Sequence, residues 1–303
     1  MIQFTVRQLA EVENNMNATE RIHYYGTQLE QEPPLHDAKM DPSWPAHGEI
    51  VFDNVQMRYR DGLPLVLKGL SMHVRAGERI GVVGRTGAGK STIMSTLFRL
   101  TELSGGSITI DGVNINTVGL GDLRSHLAII PQDPTLFKGT IRSNLDPFNR
   151  YTDMELWSAL RQADLVGTEQ QLGDKTARIH LDSNVEEEGL NFSLGQRQLM
   201  ALARALVRGA QIIVCDEATS SVDMETDQKV QRTMREGFKG KTVMCIAHRL
   251  KTIIHYDRIL VMAGGQVEEL DTPLALFERG GTFRGMCDRS NIRREDFVRG
   301  DDF

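Results

Sequence analysis

The segment GRTGAGKS (residues 84–91) matches the pattern G-x-x-x-x-G-K-[ST] and lies between a predicted strand and a predicted helix. Its three glycines let the backbone curl so that successive N–H groups point inward, and the start of the helix adds partial positive charge. Lys90 can reach the terminal phosphates as a point charge, and Ser91 offers a hydroxyl group to Mg²⁺. The segment therefore predicts a site for a nucleotide and Mg²⁺, but not the purpose of the nucleotide.

A second apolar strand is predicted at QIIVCD (211–216), and two acidic residues, Asp216 and Glu217, lie at its carboxyl end. Asp216 can hold Mg²⁺ from the side opposite the phosphate loop, directly or through water. Glu217 follows at once, and a carboxylate there can polarise the water that attacks the γ-phosphate. Without the loop, the pair would be equally well explained as solvated acids at a strand end.

The stretch NFSLGQRQLMALARAL (191–206) combines a helix-start signal with an apolar helix. Ser193 and Gln196 have the S-x-x-Q spacing of a capping box. One interpretation is simply a well-capped helix. The other is that the helix start, with Gly195 beside it, forms a second anion site. Since the chain has one phosphate loop, such a site would serve a nucleotide held elsewhere.

Short apolar strands alternate with helices around these motifs. The pattern predicts strands at 78–84, 211–216 and 242–248 and a helix at 90–100. This alternation predicts a parallel sheet with both faces covered. Hairpin signals near Asp61 and at Asp111–Gly112 predict an antiparallel flank.

We expect four segments along the chain. The spacing of apolar residues in 1–32 predicts an amphipathic helix. This helix would lie on the surface of the main domain or connect it to a segment upstream. Residues 33–48 hold four of the nine prolines and predict an extended linker. The main domain is expected over 49–285, followed by a charged, frayed tail at 286–303.

Composition argues against several classes of protein. The net charge of −6 argues against a general nucleic-acid binder, because such proteins usually carry a basic face. The three cysteines, Cys215, Cys245 and Cys287, lack metal-ligand spacing and predict inert thiols in a reducing compartment. The sequence has no apolar run long enough to span a membrane, no signal-peptide layout and no evident lipid anchor.

The motif order resembles the nucleotide-binding domain of an ATP-binding-cassette (ABC) transporter. It runs from the phosphate loop through IIPQDPTLF, FSLGQRQ and CDEATSSVD to IAHRL, and the similarity covers about residues 49–285. The resemblance implies an α/β fold, with a RecA-like P-loop ATPase core, an antiparallel β subdomain and an inserted α-helical subdomain. Within the family, the chain looks like the second nucleotide-binding domain of a C-subfamily exporter of the multidrug-resistance or fungal oligomycin-resistance type.

The resemblance also implies roles for individual residues. Tyr59 matches the aromatic residue that stacks on adenine, and Gln132 matches the glutamine that senses Mg²⁺ and the attacking water. His248 matches the histidine that contacts the γ-phosphate, with Glu217 as the catalytic carboxylate. Asp223 matches the loop that crosses to a partner domain. The implied ligands of ATP in the phosphate loop are Gly84, Arg85, Thr86, Gly87, Ala88, Gly89, Lys90, Ser91 and Thr92. The implied ligands of Mg²⁺ are Ser91, Gln132 and Asp216.

In this family, two such domains hold two ATP molecules head to tail. Ser193, Gly195 and Gln196 match the signature segment that closes over the partner's ATP, which would explain the second anion site. Leu194 departs from the family's glycine-type position, which implies that the site closed by this signature hydrolyses ATP poorly. The site built on the chain's own loop is then the competent one.

The implied partners are a second ABC nucleotide-binding domain and the transmembrane domains of an exporter, with no nucleic acid. Residues 1–32 resemble the cytosolic end of the last membrane helix, so the chain is expected either as part of a longer transporter or beside a separate membrane chain. The implied location is the cytoplasmic face of a plasma, vacuolar or other organellar membrane. Two alternatives stay open: a domain that gates a channel with ATP as a ligand, and a soluble ABC ATPase of DNA repair or translation.

Overall fold

The computed structural model describes residues 1–29, 31–36, 41, 43–166, 179–216, 224–247 and 249–297, with only the backbone described at 224 and 225. The chain separates into two compact units, Met1–Leu35 and His36–Phe303. The first unit consists mainly of helix α1 (Ile2–Thr27), in which no residue is buried. Among the described residues, no helix has both the length and the apolar character needed to cross a membrane.

The second unit contains the other elements of secondary structure. Its strands are β1 (Ile50–Met57), β2 (Leu67–Val74), β3 (Arg79–Gly84), β4 (Gly105–Ile110), β5 (Val113–Asn114), β6 (Leu127–Ile130), β7 (Gly139–Thr140), β8 (Asn184–Val185), β9 (Ile212–Asp216), β10 (Thr242–Ile246), β11 (Arg258–Ala263) and β12 (Gln266–Asp271). Its α-helices are α2 (Lys90–Leu97), α3 (Leu120–His126), α4 (Ile141–Leu145), α5 (Asp153–Gln162), α6 (Leu194–Arg208), α7 (Met224–Gly237), α8 (Leu250–Ile253), α9 (Pro273–Arg279) and α10 (Thr282–Arg289). Short 3₁₀ helices cover Ile115–Thr117, Glu187–Gly189 and Arg294–Phe297.

A six-stranded sheet in the order β12-β11-β3-β10-β9-β6 forms the centre of this unit. Strands β11, β3, β10, β9 and β6 run parallel, and β12 pairs with β11 in the antiparallel direction. The parallel strands are short and apolar, and successive side chains point to opposite faces. In β9, for example, Ile212 and Val214 pack on one face while Ile213 and Cys215 pack on the other. The predicted parallel sheet with both faces covered is confirmed.

A second sheet, in the order β2-β1-β4-β5, is antiparallel throughout. The predicted hairpin at Asp111–Gly112 is present, with Ile110 paired to Val113. Apolar residues of this sheet, one face of the parallel sheet and α2 share one core that includes Phe52, Ile80 and Ile93. The predicted antiparallel flank is therefore confirmed and lies against the phosphate-loop helix.

Helices cover the opposite face of the parallel sheet. Residues of α6 and α7 pack on β6, β9 and β10 in a second apolar cluster. A third cluster joins α4, α5 and α6 and includes Leu156, Leu160 and Met200. This helical layer follows β6 in the chain, so it corresponds to the inserted helical subdomain that the family resemblance implies.

The segments before residue 49 and after residue 285 contain buried side chains, although their composition predicts an extended linker and a frayed tail. Trp44 is buried, and its indole Nε1 donates a hydrogen bond to the carbonyl oxygen of Ile110 at 2.9 Å. At the other end, Cys287 and Ile292 are buried in the cluster that covers β11. The expectation of a frayed tail from 286 is therefore wrong as far as 297, because spaced apolar residues anchor the charged segment.

Candidate nucleotide site

The phosphate loop connects the end of β3 to the start of α2. Gly89 precedes α2 with a φ of 97°, a left-handed conformation that favours glycine. A Cβ atom on Gly84 would lie 2.5 Å from the carbonyl oxygen of Met262 on the neighbouring strand β11, so only glycine fits there. Arg85, Thr86 and Gly87 are exposed at the crown of the loop, whereas Ala88 is buried. The crown of the loop is therefore accessible to a ligand.

The Lys90 ammonium group lies across the loop. Its Nζ donates hydrogen bonds to the carbonyl oxygens of Gly84 at 2.9 Å and Arg85 at 3.2 Å. The side chain is almost fully buried, so its stem is held while its charged end reaches the start of the loop. Ser91 is exposed on the first turn of α2, where its hydroxyl group is accessible to a ligand.

Asp216 and Gln132 follow parallel strands of the same sheet as the loop. Asp216 is the last residue of β9 and pairs with Ile246 of β10, which in turn pairs with Val82 of β3. Gln132 follows β6, in which Ile130 pairs with Cys215. Because the carboxyl ends of parallel strands meet at one edge, the sheet brings both residues to the edge where β3 ends in the phosphate loop.

The donor atoms at this edge suit Mg²⁺. The hydroxyl of Ser91, the carboxylate of Asp216 and the side-chain amide oxygen of Gln132 are all oxygen donors, the type that Mg²⁺ prefers. Within the described ranges, no group of three or more His, Cys, Asp or Glu side chains is placed to hold a metal.

Tyr59 lies beside the start of α2. The residue is about half exposed, with a relative accessibility of 53%, and its hydroxyl is 3.1 Å from the hydroxyl of Thr92. Thr92 is buried in the first turn of α2, next to the loop. The tyrosine is thus held beside the helix that follows the loop while remaining partly exposed.

The predicted capping box at the start of α6 is confirmed. The amide N–H of Gln196 donates to the Ser193 hydroxyl at 3.1 Å, and the amide N–H of Ser193 donates to the Gln196 side chain at 3.0 Å. Gly195 is buried, and a Cβ atom there would lie 2.7 Å from Cγ2 of Thr226 on α7. Sequence reasoning considered Gly195 only for ligand approach, whereas the structure shows that close packing of α6 against α7 also requires it.

The helices that follow the two predicted anion-binding segments, α2 and α6, lie on opposite faces of the parallel sheet. Helix α2 and the antiparallel sheet cover one face, and α6, with its capped start, covers the other. Three predicted site residues, Glu217, Asp223 and His248, lie outside the described residues. Asp216 immediately precedes Glu217 in sequence, and Ala247 immediately precedes His248.

The cysteines behind this edge are structural. Cys215 and Cys245 are register partners on β9 and β10. The hydrogen bond with Cys245 and complete burial both raise the pKa of the Cys215 thiol, which keeps it protonated. Cys287 is buried in a different cluster, and desolvation raises its pKa to about 11. Cys215 and Cys287 are buried, whereas Cys245 is partly buried and its hydrogen bond with Cys215 lowers the pKa of the Cys245 thiol. The inertness of the three thiols stays a prediction.

Sequence reasoning missed two sets of contacts between distant segments, of which only the second lies beside the site. Asp111 accepts hydrogen bonds from the backbone N–H groups of residues 47–49. Gln198 and Arg204 extend from α6 to the segment that begins at Gln132. Neither set has a signal in a short motif, because each connects segments that are far apart in sequence.

Comparison with known proteins gives a consistent result. The family model described as "ABC transporter" matches residues 67–220. The chain is 68% identical to the ABC-type transporter cicA of Emericella nidulans over 311 residues, which cover 98% of this chain and 22% of the relative. It is 54% identical to the oligomycin resistance ATP-dependent permease YOR1 of Saccharomyces cerevisiae over 312 residues, which cover 98% of this chain and 21% of the relative.

A solved structure has a similar fold. The chain superposes on a bacterial Atm1-family ABC exporter with ATP bound, with a TM-score of 0.78 and 33% sequence identity, over 93% of this chain and 48% of the exporter chain. The chain spans about a fifth of the length of the curated relatives that it matches. The predicted fold class and the resemblance to oligomycin-resistance-type exporters are confirmed by these matches.

Proposed function

This chain belongs to the ABC transporter family, and we propose that it is the ATP-binding and ATP-hydrolysing module of an exporter, working as one half of a head-to-tail nucleotide sandwich. The observation that carries the proposal is the shared sheet edge. The phosphate loop, Asp216 and Gln132 follow parallel strands whose carboxyl ends lie together. That arrangement supports binding of a triphosphate with Mg²⁺ in front of an acidic strand end.

Binding uses the groups that the structure holds in place. The loop amides and the Lys90 ammonium group face the phosphates, and Tyr59 offers its ring to the adenine base. Stacking of a base on an aromatic side chain typically contributes about 1–3 kcal/mol. Ser91, Asp216 and Gln132 would hold Mg²⁺, which neutralises charge on the β- and γ-phosphates when it is bound.

Hydrolysis requires a group that orients and deprotonates water. We assign this role to Glu217, which follows Asp216, with His248 contacting the γ-phosphate and Gln132 orienting the attacking water. A general base typically accelerates such a step by about 10²–10⁴-fold. These three assignments follow the family's motif positions together with the location of Asp216 and of the segment after β6.

Helix α6 packs on the face of the parallel sheet opposite to the face that α2 covers. We therefore assign Ser193, Gly195 and Gln196 to the nucleotide of a partner domain, with Asp223 on the connecting loop. Binding of ATP would favour the paired state because both faces contact it there. Leu194 at the second position of the signature makes the site that this chain closes the weaker one. Motion would pass to transmembrane partners through the segment after Gln132, at the cytoplasmic face of the membrane.

The test is Glu217→Gln in the assembled transporter that contains this sequence. MgATP binding should stay within about twofold of the unmutated protein, and turnover should fall by at least about 100-fold. Unchanged turnover would remove Glu217 from the role of base. Flux of substrate against its gradient in vesicles, driven by ATP, should accompany turnover; passive ion current in its place would indicate gating and contradict the export proposal.

A further inference from the structure

Helix α6 carries one side chain whose polarity its surroundings do not explain. Gln198 is 1% exposed, and its neighbours Leu199 and Met200 are packed in apolar clusters. Its side-chain Nε2 donates a hydrogen bond of 3.3 Å to the backbone carbonyl oxygen of Gln132. The contact joins two segments that are 66 residues apart in the chain.

The orientation of this amide is fixed by its partner. A carbonyl oxygen only accepts hydrogen bonds, so the amide nitrogen of Gln198 must face Gln132. Its Oε1 then faces away, and it is buried without a hydrogen-bond partner within the part of the chain that the structure describes. A buried, unsatisfied acceptor costs free energy, so an apolar residue of similar size would be the simpler solution for packing alone.

Arg204, on the same helix, attaches the segment that follows Gln132. Its Nη1 donates to the carbonyl oxygen of Thr135 at 2.9 Å, and its Nε donates to the carbonyl oxygen of Asn144 at 2.8 Å. The Asn144 side chain in turn accepts a hydrogen bond from the Phe137 N–H at 2.8 Å and donates to the Phe137 carbonyl at 2.7 Å. Helix α6 therefore holds residues 132–137 at both ends.

The other attachment of this segment is to the sheet. Strand β6 ends at Ile130, which pairs with Cys215 just before Asp216. Gln132 therefore lies between two attachments: strand β6, which pairs with β9, and helix α6, which contacts it through Gln198. Because the Gln198 amide is bonded to the Gln132 backbone, a shift of α6 along its axis would displace that backbone.

We propose that Gln198 is a positioning residue for Gln132: its amide fixes the Gln132 backbone so that the Gln132 side chain meets Mg²⁺ and the attacking water, and it makes that residue follow helix α6. The inference rests on the proposed function. It adds a direct link between the chain's own nucleotide and the helix whose start closes the partner's nucleotide.

The test compares Gln198→Met with the unmutated protein in the assembled transporter. Methionine keeps the volume but removes the donor. Turnover should fall by about 10–100-fold, the range typical for residues that orient metal ligands, while MgATP affinity stays within about twofold. The Mg²⁺ concentration for half-maximal turnover should rise. Because Gln198 acts through Gln132, Gln132→Ala combined with Gln198→Met should lose no more turnover than Gln132→Ala alone.

A matched control removes a similar bond elsewhere. Thr233 is 3% exposed, and its hydroxyl donates to the carbonyl oxygen of Gln162 at 3.1 Å. Thr233→Val removes this buried hydrogen bond at nearly constant volume and should leave the Mg²⁺ requirement unchanged. An equal rise of the Mg²⁺ requirement in Thr233→Val, or full additivity with Gln132→Ala, overturns the proposal.

Hydrogen exchange gives a second readout that does not need turnover. In Gln198→Met, backbone amides of residues 132–137 should exchange at least about tenfold faster, while those of β9 keep their rates. Gln198→Asn, which keeps an amide but is too short to reach Gln132, should have the same effect if the methionine variant does not fold. Unchanged exchange in this segment contradicts the proposal. If the unmutated protein neither binds MgATP nor hydrolyses it, the proposed function itself is contradicted.

Discussion

The hydroxyl of Tyr59 lies 3.1 Å from the hydroxyl of Thr92, so the residue assigned to the adenine base is hydrogen-bonded to the helix that follows the phosphate loop. Thr92 is 4% exposed, whereas Tyr59 is 53% exposed. The bond therefore attaches the partly exposed Tyr59 to a buried residue of α2. It thereby connects the residue assigned to adenine with the helix whose start is assigned to the phosphates.

Removal of this bond should weaken nucleotide binding by a small, defined amount. Tyr59→Phe keeps the ring and should lose about 0.5–1.5 kcal/mol of ATP affinity, whereas Tyr59→Ala should lose about 1–3 kcal/mol more through stacking. Calorimetric titration with MgATP measures both changes. The double variant Tyr59→Phe with Thr92→Val should lose no more affinity than Thr92→Val alone, because Thr92→Val already removes the shared bond. Additive losses would show that the two hydroxyl groups act independently.

Ser193 should contribute to helix stability and to the paired site in separable ways. Ser193→Ala removes the cap of α6 and should lower the free energy of unfolding by about 0.5–2 kcal/mol. Thr152→Ala is the matched control, because Thr152 and Glu155 form the same capping box at the start of α5. Denaturant unfolding should give similar losses for both variants. Only Ser193→Ala should also reduce turnover of the assembled transporter; an equal reduction in Thr152→Ala would assign the effect to stability alone.

Gly195→Ala should destabilise the contact between α6 and α7. The added Cβ would lie 2.7 Å from Cγ2 and 2.9 Å from Oγ1 of Thr226, and overpacking of this kind typically costs about 1–3 kcal/mol. Thr226→Ala in the same chain removes both atoms and should recover part of the loss. Thermal unfolding checks both variants.

Gly285→Ala serves as the control for the glycine substitution. Gly285 lies inside α10 with no heavy atom near its Cβ position within 4 Å. Alanine there should leave stability unchanged or raise it by up to about 1 kcal/mol. A loss at position 285 as large as at 195 would refute the role of Thr226.

Asp111 should make domain stability depend on pH in the acid range. Burial alone would raise the pKa of Asp111, but backbone N–H groups of His47, Gly48 and Glu49 lower it below the ordinary value of 3.8. Because the folded-state pKa is depressed, the stabilisation is complete above the unfolded-state value and is lost as pH falls through the folded-state value. Urea unfolding between pH 7 and pH 2.5 measures this loss.

Asp111→Asn tests the same contact. Asparagine tolerates the left-handed φ of 47° at this position, but its single acceptor oxygen cannot serve both sides of the carboxylate. The variant should be less stable at pH 7, and its difference from the unmutated protein should shrink below about pH 4. Asp61→Asn, at an exposed turn position, should change stability by less than about 0.5 kcal/mol. A difference at Asp111 that stays constant with pH would refute the charge-based explanation.

The sequence by itself determined the features that depend on neighbouring residues. The phosphate loop, the Ser193–Gln196 capping box and the hairpin at Asp111–Gly112 each lie within a few consecutive residues. Local sterics and short-range hydrogen bonds set their conformation, so residue types and spacing were sufficient. The alternation of apolar strands and helices likewise predicted the covered parallel sheet and its antiparallel flank.

Only the tertiary structure decided which distant segments meet. The packing of Gly195 against Thr226, the hydrogen bond from Gln198 to Gln132 and the burial of Ile292 depend on strand order, register and helix placement. No single segment encodes these relations, because each arises from two surfaces that become neighbours after the sheet has formed. The charged residues around Ile292 therefore indicated a free tail, although one apolar side chain among them had a place in the core.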